Sequence, residues 1–261
     1  MADFGEALNA SQLKQSLSKL DINEQLIVAN ELIKKAALAD FHVFAKYVLG
    51  YKDIIWRTHG EAISTLEANA SRKIIVLPRG TFKSSLCDVA YPMWRLEQDS
   101  DLTILLDSEL YTNSANFIRE IKQHYSSERY IRIFGEREGS KWGESEIIVK
   151  HRTRYMRGLR KEASITAGGV GTTKVGQHYD LIIGDDYNSP SNSDTPEKCE
   201  KVINHVRYNM NILNPLGEYI FVGTRYAERD VIGWLLKDIL NEPHFADGIM
   251  KFKDKIKDGE I

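Results

Sequence analysis

Lys73-Ile74-Ile75-Val76-Leu77 runs without a break into Pro78-Arg79-Gly80-Thr81-Phe82-Lys83-Ser84-Ser85, and a helical pattern over residues 84–97 follows. The continuous β-rich run predicts a strand buried on both faces, as in a parallel sheet. The signal recurs in Leu102-Thr103-Ile104-Leu105-Leu106, Leu181-Ile182-Ile183 and Tyr219-Ile220-Phe221-Val222, with a further helical candidate over residues 110–127. Strands alternating with helices imply an α/β fold, a mainly parallel sheet between helices.

Working outward, residues 9–39 read as two helices. Asp21 is an N-cap candidate, and Ile22, Leu26, Ile27, Leu32 and Ile33 sit near a helical period. Residues 1–40 are therefore expected to form a small helical N-terminal appendage, for which a purely structural lid is the plainer reading. Residues 41–250 form the main domain, and 251–261 a charged tail or linker. Ser145 to Arg154 suggest a hairpin arm, Ser164-Ile165-Thr166 a short strand, and residues 188–198, rich in Asn, Ser, Pro and Asp, a loop.

The 261 residues carry a net charge of −2 and two cysteines, Cys87 and Cys199, outside any metal-spacing motif. No apolar run approaches the roughly 20 residues of a membrane helix, and the start lacks a signal-peptide pattern. These features predict a soluble protein of a reducing cytoplasm. A near-neutral total neither implies nor excludes nucleic acid, because one local basic face suffices.

Strand, loop, Lys-Ser, helix is the context of a phosphate-binding loop. Backbone N–H groups and the helix N-terminus would hold phosphates, Lys83 would neutralise them, and the Ser84 hydroxyl would ligate Mg²⁺. Arg79 stands where a guanidinium reaches a γ-phosphate. Against G-x-x-x-x-G-K-[ST], Leu77 replaces the first glycine and Phe82 the second. A strand-to-helix turn with an idle lysine fits the same residues.

Tyr179-Asp180-Leu181-Ile182-Ile183-Gly184-Asp185-Asp186 is an apolar strand ending in two acids, at the edge where α/β sheets bind ligands. Asp185 would hold Mg²⁺ and Asp186 would orient and deprotonate water; an Asp-Asp turn is the alternative. Gly217 to Arg225 reads as another strand ending in Gly223-Thr224-Arg225, a polar tip able to sense a γ-phosphate, or merely a turn. Lys150-His151-Arg152-Thr153-Arg154-Tyr155-Met156-Arg157-Gly158-Leu159-Arg160-Lys161 contains no acid. Alternation would put Lys150, Arg152 and Arg154 on one side of a strand, as a nucleic-acid contact, a subunit face or a solvated edge.

Pro78-Arg79-Gly80 with Lys83-Ser84 resembles the deviant Walker A motif of large terminase subunits, the DNA-packaging motors of tailed bacteriophages. With Asp185-Asp186 and Thr224 the resemblance covers roughly residues 40–230. It implies a P-loop fold of the additional-strand, RecA-like type, with ATP and Mg²⁺ as cofactors. Pro78, Arg79, Gly80, Thr81, Phe82, Lys83, Ser84 and Ser85 would hold the phosphates, Ser84 and Asp185 the metal, and Asp186 the catalytic water. Thr224 resembles the coupling motif. Many members carry Glu at the position of Asp186 and Gly at that of Phe82.

The resemblance also implies that Trp56 or Tyr51 stacks on adenine and His59 offers the base a hydrogen bond, although ordinary core roles suit each. It implies a trans-acting cation near Gly168-Gly169-Val170-Gly171-Thr172-Thr173-Lys174-Val175-Gly176. Val175 occupies the place of the usual Arg, so Lys174 is the substitute, with Arg79 in cis or Arg160 in trans as alternatives. The implied partners are double-stranded DNA, a portal protein, a small terminase subunit and further copies in a ring on the procapsid, in the host cytoplasm. The family's nuclease domain has no room after residue 230, so no DNA cleavage is expected. A non-catalytic nucleotide-dependent binding or assembly module and another helicase-like translocase are the competing readings.

Overall fold

The computed structural model describes residues 18, 20–153, 158, 160–172, 174, 176–227 and 229–239. The first expected helix, residues 154–157 and 159 of the basic run, Val175 and the charged tail lie outside them.

The apolar runs form the middle of one seven-stranded sheet. In chain order its strands are β1 (Arg72–Val76), β2 (Ile104–Ser108), β3 (Glu138–Trp142), β4 (Glu146–Val149), β5 (Ile165–Gly169), β6 (Tyr179–Asp185) and β7 (Leu213–Gly223). Their spatial order is β1-β7-β6-β2-β5-β4-β3. The first five in that order pair in parallel, and β4 and β3 extend the sheet antiparallel. The fold is thus α/β, a mostly parallel mixed sheet between helices.

The helices are α1 (Ile22–Ala39), α2 (Phe41–Val43, continued by a π-helical turn, Phe44–Val48), α3 (Trp56–Glu67) and α4 (a π-helical turn, Ser85–Ala90, running into Tyr91–Gln98). They are followed by α5 (Tyr111–Tyr125), α6 (Glu128–Phe134), α7 (Pro196–Asn211) and α8 (Val231–Ile239). Asp21 caps α1 in a reciprocal capping box with Glu24, as its position before the periodic run predicts. The end of α1 is fastened to α4, where the Trp94 indole N–H donates to the Ala37 carbonyl at 2.8 Å.

Alternate strand residues feed two cores. Leu181, Ile183, Ile220 and Val222 pack with Phe44, Ile63, Leu86, Met93 and Ile118. Ile182, Tyr219 and Phe221 pack with Val202 and Val206 of α7 and Val231 and Leu235 of α8. Burial on both faces is why these strands read as unbroken apolar runs.

Three local expectations are corrected. The hairpin arm lies earlier than residues 145–154: β3 and β4 meet through Gly143, and the chain leaves the sheet after Val149. Strand β2 starts two residues later than its apolar run, at Ile104. The loop at 188–198 ends at Thr195, whose hydroxyl caps α7 with Pro196 in the first turn. No described helix is long and apolar enough to cross a membrane.

What matters for chemistry is the C-terminal edge of the sheet. Val76 pairs with Gly223, and Asp185 with Val222, so β1, β6 and β7 end level with one another. The loop after β1, the acids ending β6 and the tip of β7 must therefore meet.

Candidate functional site

The loop between β1 and α4 is folded on itself. Thr81 Oγ1 donates to the Pro78 carbonyl at 2.7 Å, and Thr224 Oγ1 reaches the Leu77 carbonyl at 3.4 Å. Gly80 has φ +78° and open space where a Cβ would stand. Phe82 also takes a positive φ, +54°, in place of the glycine of the usual pattern. A side chain that departs from the motif thus adopts the left-handed backbone that glycine takes without strain. Its ring is exposed and lies edge-on to His59, centroids 6.4 Å apart.

Lys83 is 7% exposed and points toward the acids. Its Nζ is 2.5 Å from Asp186 Oδ1, 3.7 Å from Asp185 Oδ1 and 3.5 Å from Thr224 Oγ1. Ser84 Oγ donates to Asp185 Oδ2 at 3.0 Å, and the Thr224 N–H donates to Asp186 Oδ1 at 3.0 Å. Lysine therefore pairs with the second acid, serine with the first, and the tip of β7 holds the second from the other side. Asp186 has a left-handed backbone, φ +41°.

Burial pushes the Asp185 carboxyl up to about 6; Lys83 opposes the shift and Asp186 adds to it. Its Oδ1, buried, has no hydrogen-bond partner among the described residues. A carboxylate oxygen with no hydrogen bond, 3.7 Å from the Lys83 ammonium, beside a serine hydroxyl is a hard-oxygen donor set that fits Mg²⁺. No group of three or more His, Cys, Asp or Glu side chains suited to a metal exists among the described residues. No family model and no curated protein matches the chain.

Other expected residues are placed differently. His59 is buried and serves the loop instead of an adenine: Nε2–H donates to the Thr81 carbonyl at 3.0 Å and Nδ1 accepts the Ile55 N–H at 3.1 Å. One neutral tautomer satisfies both contacts, leaving no ring nitrogen for a base. Tyr51 is a packing residue whose hydroxyl bonds Glu120 at 2.7 Å and His124 at 2.8 Å; burial drives its pKa up. Trp56 is exposed at the start of α3, its ring over Gly60 and near His42. Pro78 and Ser85 flank the loop. Arg79 rests on Tyr226, bonded to its hydroxyl, with the guanidinium 5.5 Å from the ring centroid.

Arg160 is not presented outward; it forks onto Asp180 at 2.9 and 3.0 Å. Burial alone would raise the Asp180 carboxyl, but Arg160, the Thr103 N–H and Asn214 together hold it below its usual range. Lys174 is half-buried, its pKa lowered by burial and lifted in part by Asp107. The described basic residues do not line one side of a strand. Lys150 pairs with Glu136, and Arg152, 1% exposed, donates to the carbonyls of Glu162 and Asp101.

Two acids around the site carried no sequence signal, and one of them, Asp88, feels the charge of Asp185. Asp88 in α4 is buried with both oxygens unpartnered among the described residues, and burial, then the charge of Asp185, pushes its carboxyl well above the ordinary range. Asp230 accepts from the N–H groups of Tyr226, Ala227 and Gly233, fixing the turn that carries Tyr226 to Arg79. Short acidic side chains in helices and turns are too common for either to be singled out by pattern.

Proposed function

We propose that the chain is an ATP-hydrolysing P-loop motor domain of the additional-strand, RecA-like type, similar to the ATPase domain of large terminase subunits. The observation that carries this reading is the pairing of Lys83 with Asp186 and of Ser84 with Asp185, across a strand, β7, inserted between β1 and β6. That inserted strand ends in Thr224, whose N–H meets Asp186. An idle turn would not bring together the lysine, the serine, both acids and the β7 tip.

The chemistry follows from positions. Lys83 would leave Asp186 for the β- and γ-phosphates, and Arg79 would leave Tyr226 for the γ-phosphate. Ser84 and Asp185 would hold Mg²⁺, which supplies charge neutralisation on the phosphate oxygens when bound. Asp186, released by Lys83, would accept the proton of the attacking water. Thr224, joined to that acid and the loop, would carry the change into β7. A neighbour's cation, Lys174, would complete the site in a ring of copies, with double-stranded DNA, portal and small terminase subunit as partners.

A second reading is favoured by one contact. The Lys83–Asp186 ion pair occupies the base directly, as suits a nucleotide-dependent binding or assembly module without turnover. Measuring ATP turnover and nucleotide affinity of wild type, Lys83→Ala and Asp186→Ala decides. Motor function requires turnover that both substitutions abolish, with affinity lost chiefly in Lys83→Ala. Tight binding with turnover indifferent to both would leave only the module.

A further inference from the structure

Behind the site, on the α7 side of the sheet, lies a polar cluster that phosphate chemistry does not use. Asp107, next to last in β2, is 2% exposed. Its Oδ2 accepts the Tyr187 hydroxyl at 2.7 Å, His205 Nε2–H at 2.6 Å and Asn209 Nδ2–H at 2.6 Å. Converging donors of this kind suit a carboxylate, which only accepts. The Tyr187 hydroxyl also meets Tyr219 at 3.1 Å and Asn209 at 3.2 Å.

Two strand glycines make the space. A Cβ on Gly184 would stand 2.4 Å from Tyr187 Cε2, and one on Gly168 would stand 2.4 Å from Asp107 Oδ1. Glycine inside a strand weakens it and marks a close approach; here both approaches belong to the same cluster.

Tyr187 directly follows Asp186. The left-handed backbone of Asp186 is one that a non-glycine residue keeps only where its surroundings over-determine it. On one side its N–H is tied to the Val222 carbonyl at 2.9 Å and its carboxylate to Lys83 and Thr224. On the other, the next side chain is fully buried in the α7-side core with its hydroxyl on Asp107. A satisfied buried network is rigid.

We propose that Tyr187, seated in a socket of Asp107, His205 and Asn209, is a positioning residue that sets the turn carrying Asp186. The catalytic consequence rests on the ATPase reading; the geometric one does not. Helix α7 supplies two of the socket's donors, so its seating governs where the proposed base stands.

The test uses Tyr187→Phe and Asp107→Asn, with Ile203→Val as a packing control in the same core. Turnover, KM and the affinity for a fluorescent ATP analogue are measured for each, and the Tyr187→Phe structure is solved. Both variants should lose about tenfold or more in kcat, with KM and analogue affinity within about twofold of wild type, while Ile203→Val keeps its kcat. In the Tyr187→Phe structure Asp186 should leave Lys83 and Thr224. A kcat within about twofold of wild type in both variants, or an unmoved Asp186, overturns the proposal. Should wild type show no turnover, the ATPase reading falls alone, and the structure still decides: a displaced Asp186 upholds the positioning role and an unmoved one ends it.

Discussion

Asp185 is a buried acid whose ionisation the fold opposes. Its folded carboxyl sits at about 6, above the ordinary 3.8, chiefly through burial. Between those values the folded chain holds a proton that the unfolded chain has released, so this residue's contribution to stability rises as pH falls through the window. Above it the buried, ionised carboxylate is a cost. Asp185→Asn is therefore expected to raise stability near pH 7 by about 1–3 kcal/mol, with the gain vanishing near pH 4; urea unfolding of both proteins at the two pH values checks this. An Asn variant less stable near neutrality would mean that Lys83 already compensates the charge. Phe82 gives a second prediction at this scale. Glycine removes the left-handed strain but loosens the unfolded chain, effects of about 1 kcal/mol each and opposite in sign. Phe82→Gly should thus change stability by less than about 1 kcal/mol and keep nucleotide affinity, whereas Phe82→Val, branched at Cβ, should weaken both. Thermal melts and analogue titration read the two.

At the scale of elements, the two ends of the sheet do different work. The N-terminal end of β1 is joined to the middle of β7 by Lys73, which donates to Glu218 at 2.6 Å, with Arg95 and the Tyr91 hydroxyl on the same carboxylate. Removing the acid from that buried group by Glu218→Ala should cost about 3–5 kcal/mol while leaving nucleotide affinity unchanged, because the site lies at the opposite end; denaturant midpoints and analogue titration measure the two together. The parallel strands and α4 and α5 could be read in the sequence because their apolar runs are buried on both faces or follow a helical period. Helix α7 could not. Its buried face includes Cys199, His205 and Asn209, of which the last two serve the Asp107 socket and blur the amphipathic stripe. Strand β3, Glu-Gly-Ser-Lys-Trp at the sheet edge, offers the core Trp142 and no other large apolar side chain. The loop, the acids and Thr224 were legible because each falls at a strand end. The partners of Arg160, Arg152 and His59 were not, since Asp180, the Asp101 carbonyl and the Thr81 carbonyl come near only through the fold.

Across the whole molecule, one sheet joins two cores and brings Lys83 at a single edge to Asp186 and Thr224, each more than a hundred positions further along the chain. In this arrangement Lys83 is held by Asp186, so under the proposed function a nucleotide would have to displace that ion pair to enter. A nucleotide that bound there would stabilise the fold by about 2.7 kcal/mol when it stands at about a hundred times its Kd. The most direct measurement is a crystal structure with a non-hydrolysable ATP analogue and Mg²⁺. The phosphates should lie in the loop of residues 78–84, with Lys83 swung from Asp186 onto them and the metal between Ser84 and Asp185. An analogue bound elsewhere, or a loop left empty at saturating concentration with Lys83 still on Asp186, would contradict the nucleotide-site reading.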